Sequence, residues 1–317
     1  MLVRVLTNKY HLPAPVVHAV SHDRYDPGDG DVSCTTLISP AQAYQLFQNT
    51  EGTFEEDASD RIWSMIGSAV HYILENACID MKKKGMWSDE NISERRFYHT
   101  VGGKKVSAQI DLFEDGKLSD FKVTSVWAIK DSLYAGKDEW TAQLNIQRYL
   151  MHHNGIEVKE MFICAIARDW NRFGYLKDSK YPPRAVMVSI KMWPIEQTET
   201  YIIGRINALF SPLPVLCTPK ECWESPAKHA VMKKGAARAL RLLDTHADAI
   251  VWAVGKELTD ETPTDSEGNN TEITMKKTHQ IEFRPGERKR CAGYCDVAEY
   301  CDQYKDWAAQ NEARAKK

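Results

Sequence analysis

The most regular alternation of apolar and polar residues falls at Ser107–Thr124. There Ser-Ala-Gln-Ile-Asp-Leu-Phe-Glu leads into Asp115-Gly116 and then Lys-Leu-Ser-Asp-Phe-Lys-Val-Thr. Alternation predicts strands, and Asp-Gly between two such runs predicts a two-residue type I′ turn. That turn sets a register in which Glu114 faces Lys117, Phe113 faces Leu118 and Asp111 faces Asp120, with Lys122 on the same side. Ala108, Ile110, Leu112, Phe121 and Val123 would form the core side. Just upstream, Gly102-Gly103 joins Glu94–Val101 to the run from Lys104, so 94–124 reads as a three-stranded antiparallel meander.

Elsewhere the pattern changes period. Arg61–Lys84 carries Ile62, Met65, Ile66, Ala69, Val70, Ile73 and Leu74 at helical spacing, and Trp140–Met151 and Trp193–Ser211 also read as helices. Ser33–Pro40 reads as a short strand entering a helix over Ala41–Gln48, with Ser39 as N-cap and Pro40 as first helical residue. Glu51–Asp60 reads as an acidic loop. Val158–Arg168 is a continuous apolar run suited to a buried strand, and Ala185–Met192 alternates like a partly exposed one. Ala227–Ala253 reads as a helical region with a basic face of Lys228, Lys233, Lys234, Arg238 and Arg241. Residues 1–32 read as an irregular lead-in, 33–302 as one domain, Asp260–Asn270 as a polar loop and 303–317 as a charged, helical tail.

Composition narrows the class. With 317 residues, 43% hydrophobic and 27% charged, the chain has the make-up of a soluble globular protein. No apolar run approaches the roughly 20 residues of a membrane span, and the first residues lack a signal-peptide core. The expectation is a protein without membrane contact in a reducing cytoplasm, where eight cysteines serve as metal ligands or buried apolar groups. A net charge of −3 means that any contact with nucleic acid must rest on local basic patches.

Two carboxylates opposed across a hairpin repel unless something neutralises them. A divalent cation on Asp111 and Asp120, beside the Lys122 ammonium, answers that need. In the helix before the meander, Gly67, His71 and Glu75 succeed one another at four-residue spacing, so His71 projects beside Glu75 while Gly67 admits a close backbone. Glu75 is either a partner of His71 or a surface acid. Near the other end, the basic stretch Ile281–Arg290 leads into Cys291-x3-Cys295-x5-Cys301, a spacing that points to a bound metal.

The order is a helix with His71, three strands with Asp111 and Asp120-x-Lys122, a helix with Gln143, and another strand. It resembles the RecB-like exonuclease branch of the PD-(D/E)xK nuclease superfamily. Gln147 stands where that branch carries tyrosine. The resemblance covers roughly 33–302 when phage-encoded, iron–sulfur members are included, through Cys217-Thr-Pro-Lys-Glu-Cys-Trp223, Ala230–Gly235 and the closing cysteines. It implies an α/β, restriction-endonuclease-like core, a mixed sheet flanked by helices, with helical N- and C-terminal additions. It also implies a cysteine staple of one distant thiol and three near the C-terminus, holding a 4Fe–4S cluster or zinc. Cys217 is the fourth ligand by its matching segment, with Cys34 second; Cys78 and Cys164 lie in apolar patterns.

Phosphodiester hydrolysis needs an activated water, neutralised phosphate and support for the leaving oxygen. Asp111 and Asp120 would hold Mg²⁺ or Mn²⁺, with His71 as nitrogen ligand and the Phe121 carbonyl as oxygen ligand; the nitrogen favours Mn²⁺. Lys122 would orient or deprotonate the water and stabilise developing charge, and Gln143 would position the lysine or the phosphate. Lys233, Lys234, Arg238, Arg288 and Arg290 are the candidate DNA contacts. The expected activity is a metal-dependent DNA exonuclease of phage recombination, repair or replication, acting in the host cytoplasm. Its substrates would be single strands or duplex ends, and its partner a single-strand annealing or recombination protein. The alternative is a catalytically idle DNA-end-binding module of the same fold.

Overall fold

A strand at Leu2–Thr7 (β1) and a helix at Ala14–Ser21 (α1) occupy the stretch expected to be an irregular lead-in. The computed structural model describes residues 2–22, 28–263 and 271–315, in two compact units, Met1–Val215 and Leu216–Lys317, where the sequence suggested one domain over 33–302. After α1 the first unit continues with β2 (Val32–Ser33), α2 (Cys34–Ile38), α3 (Ala41–Asn49) and β3 (Gly52–Asp57). β1 and β3 pair in parallel, Leu2 with Gly52 through Thr7 with Asp57, so the acidic loop is a strand as well. Its partner lies fifty residues away, which no local pattern announces. Ser33, not Ser39, supplies the helix cap here: its hydroxyl accepts the Thr36 N–H at the start of α2, and α3 begins after Pro40.

The long helix α4 (Ile62–Lys83) precedes the meander of β4 (Ile92–Val101), β5 (Lys104–Glu114) and β6 (Lys117–Thr124). Next come α5 (Val126–Tyr134) and α6 (Asp138–His153), then β7 (Glu160–Ala167), α7 (Arg172–Lys177), β8 (Ala185–Ser189) and α8 (Ile195–Leu209). The result is a mixed α/β unit. A six-stranded sheet runs β2-β5-β6-β7-β8, with β4 on β5; β6 and β7 are parallel, while the β4–β5, β5–β6 and β7–β8 pairs are antiparallel. Its core face, with Ile110, Leu118, Met161 and Ile163, packs on Leu144, Ile146, Leu150 of α6 and Ile202, Ile206 of α8. α4 behaves differently. Every one of its residues is exposed or half-buried, and a Cβ built on Gly67 would meet no described atom within 4 Å, so Gly67 serves no close packing there.

In the second unit, the expected helical region 227–253 is instead strand, turn, strand and helix. β9 (Glu224–Ser225) is followed by β10 (Lys228–Lys233), β11 (Arg241–Leu243) and α9 (His246–Val254). Gly235, with φ of +79°, breaks the helical spacing inside the turn. β12 (Thr259–Pro263) pairs with β13 (Thr271–Met275), so 260–263 is strand; the rest of the expected polar loop lies outside the described residues. β14 (His279–Arg284), β15 (Glu287–Arg288), α10 (Lys289–Gly293) and α11 (Asp302–Ala315) complete the unit. β11-β10-β14 form a sheet whose small core is Val231, Ala249 and Ala253. No helix among the described residues is long and apolar enough to cross a membrane.

Candidate active site

The Asp115-Gly116 hairpin has the register its turn dictates: Glu114 pairs with Lys117 and Phe113 with Leu118. The ladder then stops at Leu112–Ser119, one step before Asp111 would oppose Asp120. Opposed carboxylates repel, and here side chains replace the missing ladder bonds. The Phe121 N–H donates to Asp111 Oδ2 at 2.8 Å, and Gln147 Nε2 donates to the Gln109 carbonyl at 3.2 Å. β5 and β6 therefore part, and β5 takes β2 as its neighbour further back, at Val106–Ser107.

The faces also shift. In the parallel ladder Leu118, Asp120 and Lys122 stand beside Met161, Ile163 and Ala165, all core residues, so Asp120 and Lys122 lie on the α6 side of β6. Phe121, assigned to the core by alternation, instead lies edge-on to His71 of α4, centroids 6.0 Å apart. Along β4 and β5 the core residues change parity, from Ile92 opposite Phe113 to Phe97 opposite Ala108. The irregular point is Glu94, flanked in register so that it opposes Asp111, with φ of +50°. A non-glycine residue in the left-handed region costs about 1–3 kcal/mol, and such strain gathers where a side chain must be aimed.

Glu94 is aimed at His71. Its Oε1 lies 3.1 Å from His71 Nδ1, and its Oε2 accepts the Gln109 Nε2–H at 2.6 Å. Gln109 is in turn fixed by Arg96 at 3.0 Å. His71 Nδ1 is also 3.7 Å from Asp111 Oδ2. Among the described residues, His71, Glu94 and Asp111 form the group whose donor atoms all lie within 4.8 Å of one another. Glu75 takes no part; the histidine's partner is Glu94, which local spacing could not reveal because it lies 23 residues on, in another element. Its one sequence signal is an acid near the start of the strand that pairs with Asp111.

Across β6, Asp120 is 1% exposed. Its Oδ1 accepts the Gln143 Nε2–H at 2.6 Å, and Oδ2 lies 2.6 Å from Lys122 Nζ. Gln143 thus holds the carboxylate that holds the lysine. The Cys34 thiol, 3.6 Å from the Gln143 carbonyl, is buried against this pair, and burial pushes its pKa far up. Burial by itself would lower the Lys122 pKa, but the Asp120 and Asp111 carboxylates outweigh it and hold the ammonium above its ordinary value.

A nitrogen and two carboxylates facing one point suit a divalent cation such as Mn²⁺ or Mg²⁺. Without one, protons stand in. Burial and the nearby Asp120 raise Asp111 to about 8, and the Glu94 hydrogen bond, against burial and with help from Asp111, raises His71 to about 9. Both shifts are upward, so a cation must displace protons from this pair, and its affinity is expected to rise with pH. Both raised values also mean that the metal-free fold binds more protons than the unfolded chain. The His71 contribution is fully present below its unfolded value of 6.5 and lost through about 9, while the Asp111 penalty grows from about 4 to 8. Mn²⁺ titration calorimetry in buffers of different ionisation enthalpy checks this; affinity independent of pH would refute the three-donor site.

In the second unit, Cys217, Cys291, Cys295 and Cys301 lie near enough to influence one another's ionisation, together with the buried Cys222, which stands outside the predicted set of four. Burial, then neighbouring thiols, pushes Cys217 and Cys291 up to about 12. Their sulfurs do not close to the spacing of the His71 group. Protein contacts already staple this segment: Gln303 donates to the Cys217 carbonyl and accepts its N–H, and β9 pairs with β15. Gly286 passes so close that a Cβ would stand 2.7 Å from the Ser225 carbonyl. Arg288, bound to Glu224 at 2.7 Å and set over Trp307, and Arg290, set over Trp223 and bonded to the Glu221 carbonyl, belong to this packing. Of the expected DNA contacts, Lys233, Lys234 and Arg238 are the exposed ones.

The fold is that of a mixed α/β protein in which His71, Glu94 and Asp111 converge beside the buried Asp120 and its partners Lys122 and Gln143. No family model matches the chain, and no curated protein matches it. Among solved structures it is similar to SSO0001, at 15% identity and TM-score 0.38 over 66% of this chain and 87% of that one. It is also similar to a "Putative exonuclease" from Eubacterium rectale, at 10% identity and TM-score 0.32 over 48% and 68%.

Proposed function

We propose that the first unit is a metal-dependent DNA exonuclease of PD-(D/E)xK, RecB-like type on a restriction-endonuclease-like core. One observation carries the reading: His71, Glu94 and Asp111 converge within 4.8 Å where β5 and β6 part, with Asp120 and Lys122 on the strand that parts from them. His71, Glu94 and Asp111 would hold the cation, with Asp120 and the Phe121 carbonyl as further oxygen donors. A bound Mg²⁺ or Mn²⁺ would neutralise phosphate charge and acidify a water. Lys122, protonated and fixed by Asp120, stabilises negative charge on the phosphate; this favours an electrostatic role over that of a base. Gln143 keeps the pair in place. DNA, cytoplasmic action and a recombination or annealing partner belong to the same proposal. Hydrolysis of end-labelled and circular DNA, with and without Mg²⁺ or Mn²⁺, tests it. Metal-independent binding of ends without cleavage would leave the idle end-binding module.

The cysteines of the second unit are proposed to hold a 4Fe–4S cluster or zinc through Cys217, Cys291, Cys295 and Cys301, with Cys222 adjacent. Raised thiol pKa values mean that metal must displace protons there too. Anaerobically purified protein is expected to be brown and bleached by dithionite, with iron lost in Cys217→Ser and retained in Cys34→Ser. One zinc in colourless protein would replace the cluster; neither metal would remove the site. Because Gln303 and the β9–β15 pair staple the segment independently, losing the metal is expected to lower the melting temperature without unfolding the unit.

A further inference from the structure

We propose that the surface built by α5, α7 and the first turn of α4 is a stacking platform for single-stranded DNA leading into the active site. Hydrolysis of the bound strand rests on the nuclease reading; the binding surface stands on separate observations. Trp127 is 72% exposed, Phe173 67%, Tyr134 62% and Trp63 51%. Trp127, Lys130 and Tyr134 lie three and four apart, on one side of α5. Lys130 binds Asp178 at 2.6 Å, which brings the end of α7 against that side.

The rings are interleaved with cations. Arg168 stands 4.5 Å over Trp63, Lys177 4.0 Å over Phe173, Lys180 5.5 Å over Tyr134 and Arg184 4.2 Å over Trp170. Residues 168–184 hold five basic residues (Arg168, Arg172, Lys177, Lys180, Arg184) against two acidic ones, a net +3 in a chain of net −3. Both acids are engaged: Asp169 accepts the Val126 N–H, and Asp178 accepts the Lys180 N–H as well as pairing with Lys130. Exposed rings with positive charge between them complement a strand of unpaired bases and phosphates: bases stack and phosphates meet the cations. A duplex offers its π-faces only at the ends.

The surface is fixed in shape. Asn171 caps α7 through the Gly174 N–H at 2.7 Å and donates to the Tyr181 hydroxyl at 2.9 Å, while Trp170 Nε1 donates to the Pro182 carbonyl. Gly174 lies so close under Tyr181 that a Cβ would stand 2.5 Å from its ring. It is also placed at the site. Arg168 N–H donates to the Thr124 carbonyl, and Thr124 is two residues, about 7 Å, beyond Lys122 on β6. Trp63 and His71 share α4, about 12 Å apart.

The test uses the full chain in EDTA with a fluorescent oligothymidylate and a blunt duplex of equal length. Trp127→Ala and Phe173→Ala should each weaken single-strand binding about fivefold or more, as expected for one lost stacked base, and the pair together more so, with duplex affinity unchanged. With Mn²⁺, the same variants should raise KM for single-stranded DNA while hydrolysing bis(p-nitrophenyl) phosphate at the wild-type rate. Wild-type single-strand affinity in the double variant would overturn the platform, as would an equal loss on blunt duplex. A wild-type protein that cuts nothing yet binds single strands through these rings would overturn the nuclease reading and leave the platform standing.

Discussion

Asp120→Asn is expected to reduce hydrolysis of DNA to background in either metal while keeping most of the affinity for DNA. The substitution preserves shape and the contact with Gln143, and removes the charge that faces Lys122 and the parted strands. Asp120 is buried, so the change also leaves the Lys122 ammonium without its partner. Breaking a fully buried pair costs about 3–5 kcal/mol, and less here because the lysine side chain remains 29% exposed. A thermal melt run beside the nuclease assay separates the two effects: activity lost with the fold intact assigns the carboxylate to chemistry. Cleavage at the wild-type rate by folded Asp120→Asn would remove Asp120 from the site.

Lys122→Ala should lower the rate by about 10²–10³, the usual loss for one preorganised donor to a developing negative charge. Lys122→Arg should recover only part of it. Lys122 fits as a compact ammonium 2.6 Å from a carboxylate that Gln143 also binds, and a planar guanidinium would have to displace one of those contacts. Because the ammonium is held protonated, the pH profile of the wild type should track cation binding at His71 and Asp111 and not the lysine. Undiminished activity in Lys122→Ala would end its proposed role, and full recovery in Lys122→Arg would show that charge alone suffices.

The helical spacing over 227–253 is overridden for a local reason: Gly235 turns the chain, and the apolar run Ala230-Val231-Met232 is buried in a strand between β11 and β14. The lead-in failed for a non-local one. Leu2–Thr7 has little to bury on its own side chains, with Val3 and Val5 exposed, and becomes a strand only because Gly52–Asp57 lies beside it. The exposed α5–α7 surface has no counterpart in the sequence pattern, because exposure of a tryptophan leaves no trace in sequence.

Sequence by itself determined the hairpin, its turn and its register near the loop, because a two-residue turn leaves one geometry for the flanking strands. Alternation from that turn also put Asp111, Asp120 and Lys122 close together along the hairpin, while Gln143 joined them only through the resemblance to the RecB-like branch. Tertiary structure alone decided which carboxylate meets which cation. The β5–β6 ladder ends one residue early, Asp111 turns to the Phe121 amide and His71, and Asp120 turns to Gln143 and Lys122. Glu94 enters only through its strained φ opposite Asp111. Such choices balance repulsion, burial and twist across strands far apart in the chain, and no window of neighbouring residues contains those terms.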